Sequence, residues 1–295
     1  MFRKICKMSQ KDLKQFVAKK LKETHDKVIV GDGYVYAEGD FPVLLVAHLD
    51  TVHKELPKTI VYDTKDDSLS SPQGIGGDDR CGVYMVLEVI KQFNCSVLFC
   101  EDEEIGGVGA EKFTKTSLAK KLAFNYIIEF DRKGSNDAVF YDCDNEDFEE
   151  FITEEFYKTS WGSFSDISVL APFFGCAAVN LSCGYYNAHT VNEYVVLSEM
   201  DESIYQACRI LAKTTENDAF EYIETTYNDD WYCYGGYYNQ KTTTKLYLVE
   251  WYNDKTKQDE WVEIDAISQA EAIGKFCMEH PNIPYNSFYV EEFIY

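Results

Sequence analysis

Positive charge is the first thing this chain is short of. Its 295 residues carry 28 Lys and Arg against 51 Asp and Glu, a formal net charge of −23. Such a surface repels phosphates, which excludes nucleic acid as a partner and leaves room for divalent cations. No apolar run approaches the length of a membrane span. Residues 1–9 are too basic and too poor in apolar side chains for a signal peptide. The expectation is a cytoplasmic protein with no membrane partner. The ten cysteines contain no Cys-x-x-Cys pair. Cys81, Cys95, Cys100, Cys176, Cys183 and Cys208 sit inside apolar runs and read as inert core thiols of a reducing compartment. Internal repeats and low-complexity tracts are missing too. What is present is an apolar fraction of 45%, enough for a sizeable core, and a length that suits one large domain plus a small one.

One shortage is local. No lysine or arginine lies between Lys91 and Lys112, yet Glu101-Asp102-Glu103-Glu104 stands there. The run follows an apolar strand-like segment, 96–100, and leads into Ile105-Gly106-Gly107 and a helix. Four adjacent carboxylates at the end of a buried strand repel one another and need a positive charge nearby. A metal ion supplies it.

Periodicity places the rest. Residues 9–25 read as a helix capped by Ser9, and 27–38 as a hairpin around Gly31-Asp32-Gly33. Residues 42–47, apolar on both faces, predict a buried strand ending at His48-Leu49-Asp50-Thr51-Val52. An edge strand and polar loop are expected over 59–73, a tight turn over 74–79 and a helix over 82–93. Strands follow at 95–100, 124–130, 138–141 and 176–182, with helices at 107–122, 146–157 (capped by Asn145), 165–173 and 198–214. Alternating strands and helices predict an α/β three-layer sandwich, with a mixed, mostly parallel sheet and helices on both faces. Every conspicuous polar residue falls at the C-terminal end of a strand, where open α/β sheets place their sites.

The character changes near Glu216. Residues 1–215 read as the catalytic domain, 216–240 as an aromatic-rich linker or hairpin, and 241–295 as a small acidic ββαβ unit. The latter has strands at 245–252, 260–267 and 288–294, and a helix from Ser268, boxed by Glu271, to about His280. Residues 216–295 hold 16 acids and 5 bases, a net of −11.

His48, Asp78, Glu104, Asp131 and His189 each follow a strand or open the helix after one. Nitrogen and oxygen donors without thiolate suit Zn²⁺, Co²⁺ or Mn²⁺ in a catalytic site. Five protein ligands exceed what one catalytic zinc takes and match two metals sharing a carboxylate, for which Asp78, in a tight turn, is the natural bridge.

Five stretches carry a resemblance: His48-Leu49-Asp50-Thr51-Val52, Gly77-Asp78-Asp79-Arg80-Cys81-Gly82, Asp102-Glu103-Glu104-Ile105-Gly106, Phe130-Asp131 and Asn187-Ala188-His189-Thr190. In this order they resemble the di-zinc exopeptidase superfamily, leucyl aminopeptidase-like or peptidase T-like, over about residues 40–205. The resemblance implies two divalent metal ions, zinc with cobalt or manganese as alternatives. His48, Asp78 and Asp131 would hold one, and Asp78, Glu104 and His189 the other. It implies Asp50 behind His48, fixing its tautomer. It also implies Glu103 as the general base, which takes a proton from a metal-bridging water and protonates the leaving amine. A cis Asp78–Asp79 bond is expected on the same ground. Only 57 residues separate Asp131 from His189 and 29 separate His48 from Asp78, too few for the inserted domains some relatives carry. The catalytic domain is therefore expected without a lid.

The implied function is hydrolysis of peptide bonds, as an aminopeptidase on short peptides. The alternatives are an N-acyl amino acid deacylase with the same residues, or a non-catalytic binding or assembly protein keeping the fold. Oligomeric state is open, a homo-oligomer included. His25, His53 and His280 are expected to be structural, Asp79 to be positional, and Glu101 and Asp102 to be bystanders. Asp166 lines the pocket or caps a helix. Tyr185, Tyr186 and Asn187 line the pocket or pack. Arg80 pairs with Asp79 or takes a substrate carboxylate.

Overall fold

Alternation along the strands explains how one sheet comes to carry two cores. In the strand Phe41–His48, Val43, Leu45 and Ala47 enter one apolar cluster, while Leu44 and Val46 enter another on the opposite face. The computed structural model describes residues 1–225, 245–253, 257–266, 276, 280 and 288–293, in two units, Met1–Tyr227 and Asn228–Tyr295.

The first unit begins with α1 (Phe2–Ile5) and α2 (Gln10–Leu21). Ser9 caps α2, its Oγ accepting the Asp12 N–H at 3.1 Å. Then come β1 (Lys27–Gly31), β2 (Tyr34–Glu38), β3 (Phe41–His48), β4 (Val61–Asp63), β5 (Ser68–Ser70), α3 (Gly77–Val89), β6 (Cys95–Cys100), α4 (Val108–Thr114), β7 (Tyr126–Arg132) and β8 (Asp137–Val139). They are followed by α5 (Glu146–Thr153), β9 (Lys158–Thr159), α6 (Ile167–Phe174), β10 (Ala178–Ser182), β11 (Tyr185–Tyr186), β12 (Tyr194–Val196) and α7 (Leu197–Lys213).

The main sheet has eight strands in the order β1-β2-β6-β3-β7-β10-β8-β9. Its centre, β6-β3-β7-β10, is parallel, and antiparallel pairs flank it on either side. Helices α1, α2, α3, α5 and α7 cover one face, through residues such as Leu13, Val86, Phe148 and Ile210. Helices α4 and α6 cover the other through Phe113 and Leu170. This is the α/β sandwich expected from the sequence.

Three segments differ from expectation. Residues 59–73 supply the expected edge strand, β4, but in a second sheet and with a second strand where a loop was expected. They form the hairpin β4–β5, whose β5 pairs with β12 in a second sheet, β11-β12-β5-β4. Only Leu69 of these two strands is buried, too little apolar surface for a place in the main sheet. Helix α4 stops at Thr114, because Thr114 and Thr116 turn their hydroxyls onto the carbonyls of Glu111 and Phe113, and Thr116 Oγ1 then accepts the Ala119 N–H of a fresh 3-10 turn. Phe220 lies 5.1 Å from both the Phe148 and Phe151 rings, so the chain just beyond 216 packs on the first unit. Residues 226–244 lie outside the described residues.

In the second unit, β13 (Lys245–Asn253) pairs antiparallel with β14 (Gln258–Ala266) and with β15 (Phe288–Phe293). Tyr247, Val249, Trp251, Ile264 and Phe276 make its small core. The helix expected from Ser268 falls outside the described residues except at Phe276 and His280, where the His280 N–H donates to the Phe276 carbonyl at 2.8 Å. Among the described residues, no helix is long and apolar enough to cross a membrane.

Candidate metal centre

Strand order brings the polar stretches together. β6, β3 and β7 are neighbours, and β3 runs parallel to both, so their C-terminal ends share one sheet edge. That edge receives His48 from β3, the acidic turn from β6 and Asp131 from β7. Helix α3 opens over the same edge with Asp78 and Asp79, whose joining peptide bond is cis, as expected. His189 arrives from the loop between β11 and β12.

The five donors form a chain of close approaches centred on Asp78. His48 Nε2 lies 3.1 Å from Asp78 Oδ1 and 3.5 Å from Asp131 Oδ1. His189 Nε2 lies 3.1 Å from Asp78 Oδ2 and 3.2 Å from Glu104 Oε2. One carboxylate thus faces two imidazoles, one with each oxygen. Donor atoms of His48, Asp78 and Glu104 lie within 4.8 Å of one another, as do those of His48, Asp79 and Asp131.

Behind these donors stands a layer of hydrogen-bonding groups that fix them. Asp50 Oδ1 is 3.2 Å from His48 Nδ1 and also accepts the Glu103 N–H at 3.0 Å, while Oδ2 accepts the Glu104 N–H at 3.1 Å. One residue therefore orients the imidazole and the acidic turn together. Asp79 accepts the His48 N–H at 3.1 Å and the Gly82 N–H at 2.8 Å, which makes it positional. Asn180 Oδ1 accepts the Asp131 N–H at 2.8 Å. Tyr185 Oη donates to the Asp131 carbonyl at 3.0 Å and lies 3.3 Å from its Oδ1, so it holds Asp131 rather than lining a pocket.

Charge in the cluster is badly balanced without cations. Burial would raise the Asp78 carboxyl, but hydrogen bonds from His189 and His48 hold it well below the usual range. Burial and the Asp78 charge push Asp131 up to about 7. Glu103 is pushed up to about 8 by burial, with the Asp131, Asp166 and Glu104 charges acting against only His48. His189 rises to about 10 on its hydrogen bonds to Asp78 and Glu104. Burial works against a charged His48, yet its bonds to Asp131, Asp50 and Asp78 keep it well above the ordinary imidazole value. Protons stand in for positive charge that the side chains do not supply. Glu104 Oε1 is buried with no hydrogen-bond partner. An orphaned carboxylate oxygen among nitrogen and oxygen donors, with no thiolate, fits divalent cations such as Zn²⁺, Co²⁺ or Mn²⁺.

The neighbouring residues depart from expectation in instructive ways. Glu101 finds its counter-charge far away in sequence, pairing with Lys14 of α2, and Asp102 accepts from Gln10 at 3.0 Å. Arg80 is buried and gives its Nη1 to the Leu49 and Asp50 carbonyls, so it is not open to a substrate carboxylate. Asp166 stands at the start of α6, but its side chain makes no cap bond and both oxygens are buried without a partner. His25 is structural, its Nε2 lying 2.8 Å from the Cys95 carbonyl. Sequence reasoning passed over Glu193, Asn180 and Glu129, a buried carboxylate that accepts from Ser165 Oγ. Glu129 and Asn180 sit inside apolar strand runs, and that intrusion was the available signal. Glu193 lies four residues beyond His189, and nothing in its spacing marks it.

The family model described as Peptidase family M28 matches residues 32–168. No curated protein matches the sequence. Among solved structures, the chain is similar to the aminopeptidase PepT from Bacillus cereus ATCC 10987, with a TM-score of 0.60 and 14% identity over 72% of this chain and 97% of that one. A tripeptidase from Staphylococcus aureus gives a TM-score of 0.58 and 13% identity, over 71% of this chain and 95% of the other. An aminopeptidase from the archaeon Desulfurococcus kamchatkensis gives 0.57 and 14%, over 72% and 94%. The fold is the one these peptidase structures share.

Proposed function

We propose that this chain is a metal-dependent aminopeptidase that hydrolyses short peptides. The observation that carries the reading is Asp78, whose two oxygens each lie 3.1 Å from a different imidazole nitrogen. A carboxylate so placed suits a bridge between two divalent cations, zinc being the best fit to the donor set. His48, Asp78 and Asp131 would hold one cation, and Asp78, Glu104 and His189 the other. When bound, the cations supply Lewis acidity toward the substrate carbonyl and lower the pKa of the attacking water.

The remaining work falls to side chains. Glu103 takes a proton from the attacking water on its carboxylate and returns it to the leaving amine. Its pKa, about 8 through burial and neighbouring negative charge, comes down once cations offset those charges, toward the range in which a base works near neutrality. Asp50 keeps the turn that bears Glu103 in register with His48 by accepting from both. Arg80, the cation nearest the bridge in sequence, is committed to backbone carbonyls, which leaves an acidic surround. That surround favours a substrate's free α-ammonium over a carboxylate.

The test is a screen of free and N-blocked dipeptides with added Zn²⁺, Co²⁺ and Mn²⁺. Cleavage of the free peptides that a chelator abolishes supports the reading. Equal cleavage of blocked substrates overturns it in favour of an N-acyl amino acid deacylase. A folded protein that takes up no cation and cleaves nothing points to a binding or assembly role.

A further inference from the structure

Glu193 is a fully buried carboxylate that none of the roles above employs. It closes the loop that carries His189, immediately before β12. Its Oε1 accepts the Asp78 N–H at 3.1 Å, and its Oε2 accepts the Gly76 N–H at 2.7 Å. His53 Nε2 lies 2.8 Å from Oε2, and since a carboxylate only accepts, the imidazole donates there. Three donors thus converge on one side chain. Gly76 is left-handed, at φ +67°, and a Cβ on Gly77 would sit 2.8 Å from Tyr185 Cβ and 3.4 Å from Glu193 Oε1. The turn is made of glycine because the hairpin lies directly against it.

This contact has a specific geometric meaning. The loop bearing His189 and the turn bearing Asp78 come from distant parts of the chain, and Glu193 joins one to the other through the Asp78 N–H itself. His189 has little else to hold it, being half exposed with a left-handed backbone at φ +65°. We propose that Glu193 is a positioning residue for the cation position formed by Asp78, Glu104 and His189. It fixes the separation of Asp78 Oδ2 and His189 Nε2 by clamping the two backbones, and it touches neither cation nor substrate. The other position shares Asp78 but takes His48 and Asp131 from adjacent paired strands, so two of its three side chains stand apart from the clamp. The inference rests on the two-cation reading above.

The experiment is a calorimetric titration of Zn²⁺ into chelator-stripped full-length protein, compared with Glu193→Gln and with His189→Ala as a reference for the affected step. The amide keeps the shape of the carboxylate but turns an NH₂ toward one of the backbone N–H groups. Wild type is expected to bind in two steps. Glu193→Gln should keep the first step and lose affinity in the second by about 10–100-fold, the scale of a lost supporting hydrogen bond at a metal ligand. The step affected should be the one His189→Ala abolishes. Its kcat should recover at high Zn²⁺, which a misfolded protein would not do. Both steps unchanged, or both weakened equally with a lowered melting temperature, overturns the proposal while leaving the two-cation reading intact. A wild type that binds one cation or none overturns both. Should Glu193→Gln fail to fold, Glu193→Asp, which keeps the charge but is too short to reach both N–H groups, is judged by the same criteria.

Discussion

His48 and His189 meet the same carboxylate from opposite kinds of backbone. His48 ends a buried parallel strand, is wholly inaccessible and has its Nδ1 held by Asp50. His189 sits in a loop with a left-handed φ, its side chain 53% exposed. On the strand side, sheet pairing fixes the donors, and cooperative core packing must fail before they move. On the loop side, a few hydrogen bonds do the fixing. The first arrangement favours constancy. The second leaves a donor where substrate, solvent and cation all have access. A site with one rigid and one adaptable half is expected to fill in order, strand side first.

Asp78 belongs to both halves, so its loss gives the largest expected effect. Asp78→Asn should lower kcat/KM by more than about 10⁴-fold, beyond what a single general base contributes, and should reduce bound zinc at both positions. Elemental analysis that finds one cation still bound at full affinity would break the symmetry assigned to that carboxylate. Glu103→Gln should lower kcat by about 10²–10⁴-fold while leaving cation content unchanged, which separates chemistry from binding. If cation content falls with it, Glu103 belongs among the ligands. Asp50→Asn comes next, at about 10–100-fold, because Asp50 ties His48 on the strand side to the turn on the loop side. A loss confined to KM would place its role in substrate binding instead.

The smallest effect is in pH. Hydrogen bonds to Asp78 and Glu104 raise His189 from 6.5 to about 10 in the cation-free protein. A pKa raised by folding stabilises fully below the unfolded value and is lost as pH climbs through the folded one. The melting temperature of chelator-treated protein should therefore decline between about pH 6.5 and pH 10. His189→Ala should flatten part of that decline. The change is modest, since the side chain is half exposed and screened. An identical decline in the variant would assign the effect to other groups.

The strand side was also the legible side. Apolar runs ending in His48 and in Phe130-Asp131 announce both the sheet and the donors on it, because two-sided burial leaves a strong periodic signature. The acidic turn was half legible. Its charge density pointed to a cation and the resemblance divided the four acids, but the partners of Glu101 and Asp102, Lys14 and Gln10, are brought near only by the fold. The supporting residues were hidden for a similar reason. Asn180, Tyr185 and Glu193 act on backbone N–H groups or side chains that lie distant in sequence, and no local pattern encodes such a partner. At 61–70 the edge strand was legible but its partner, 68–70, read as loop, because a three-residue strand with one buried side chain carries almost no burial signal.

Arg80 reaches further than its place near Asp78 in the sequence suggests. While Nη1 grips the Leu49 and Asp50 carbonyls, Nη2 donates to the Met8 carbonyl at 3.3 Å. The segment ahead of α2 is thereby moored to the loop that carries Asp50. A cut or a bulky addition near Met8 is expected to slacken that mooring and to disturb the turn bearing Glu103, since Asp50 accepts from that turn. In practical terms, an affinity tag placed beside Met8 is expected to disturb the candidate site.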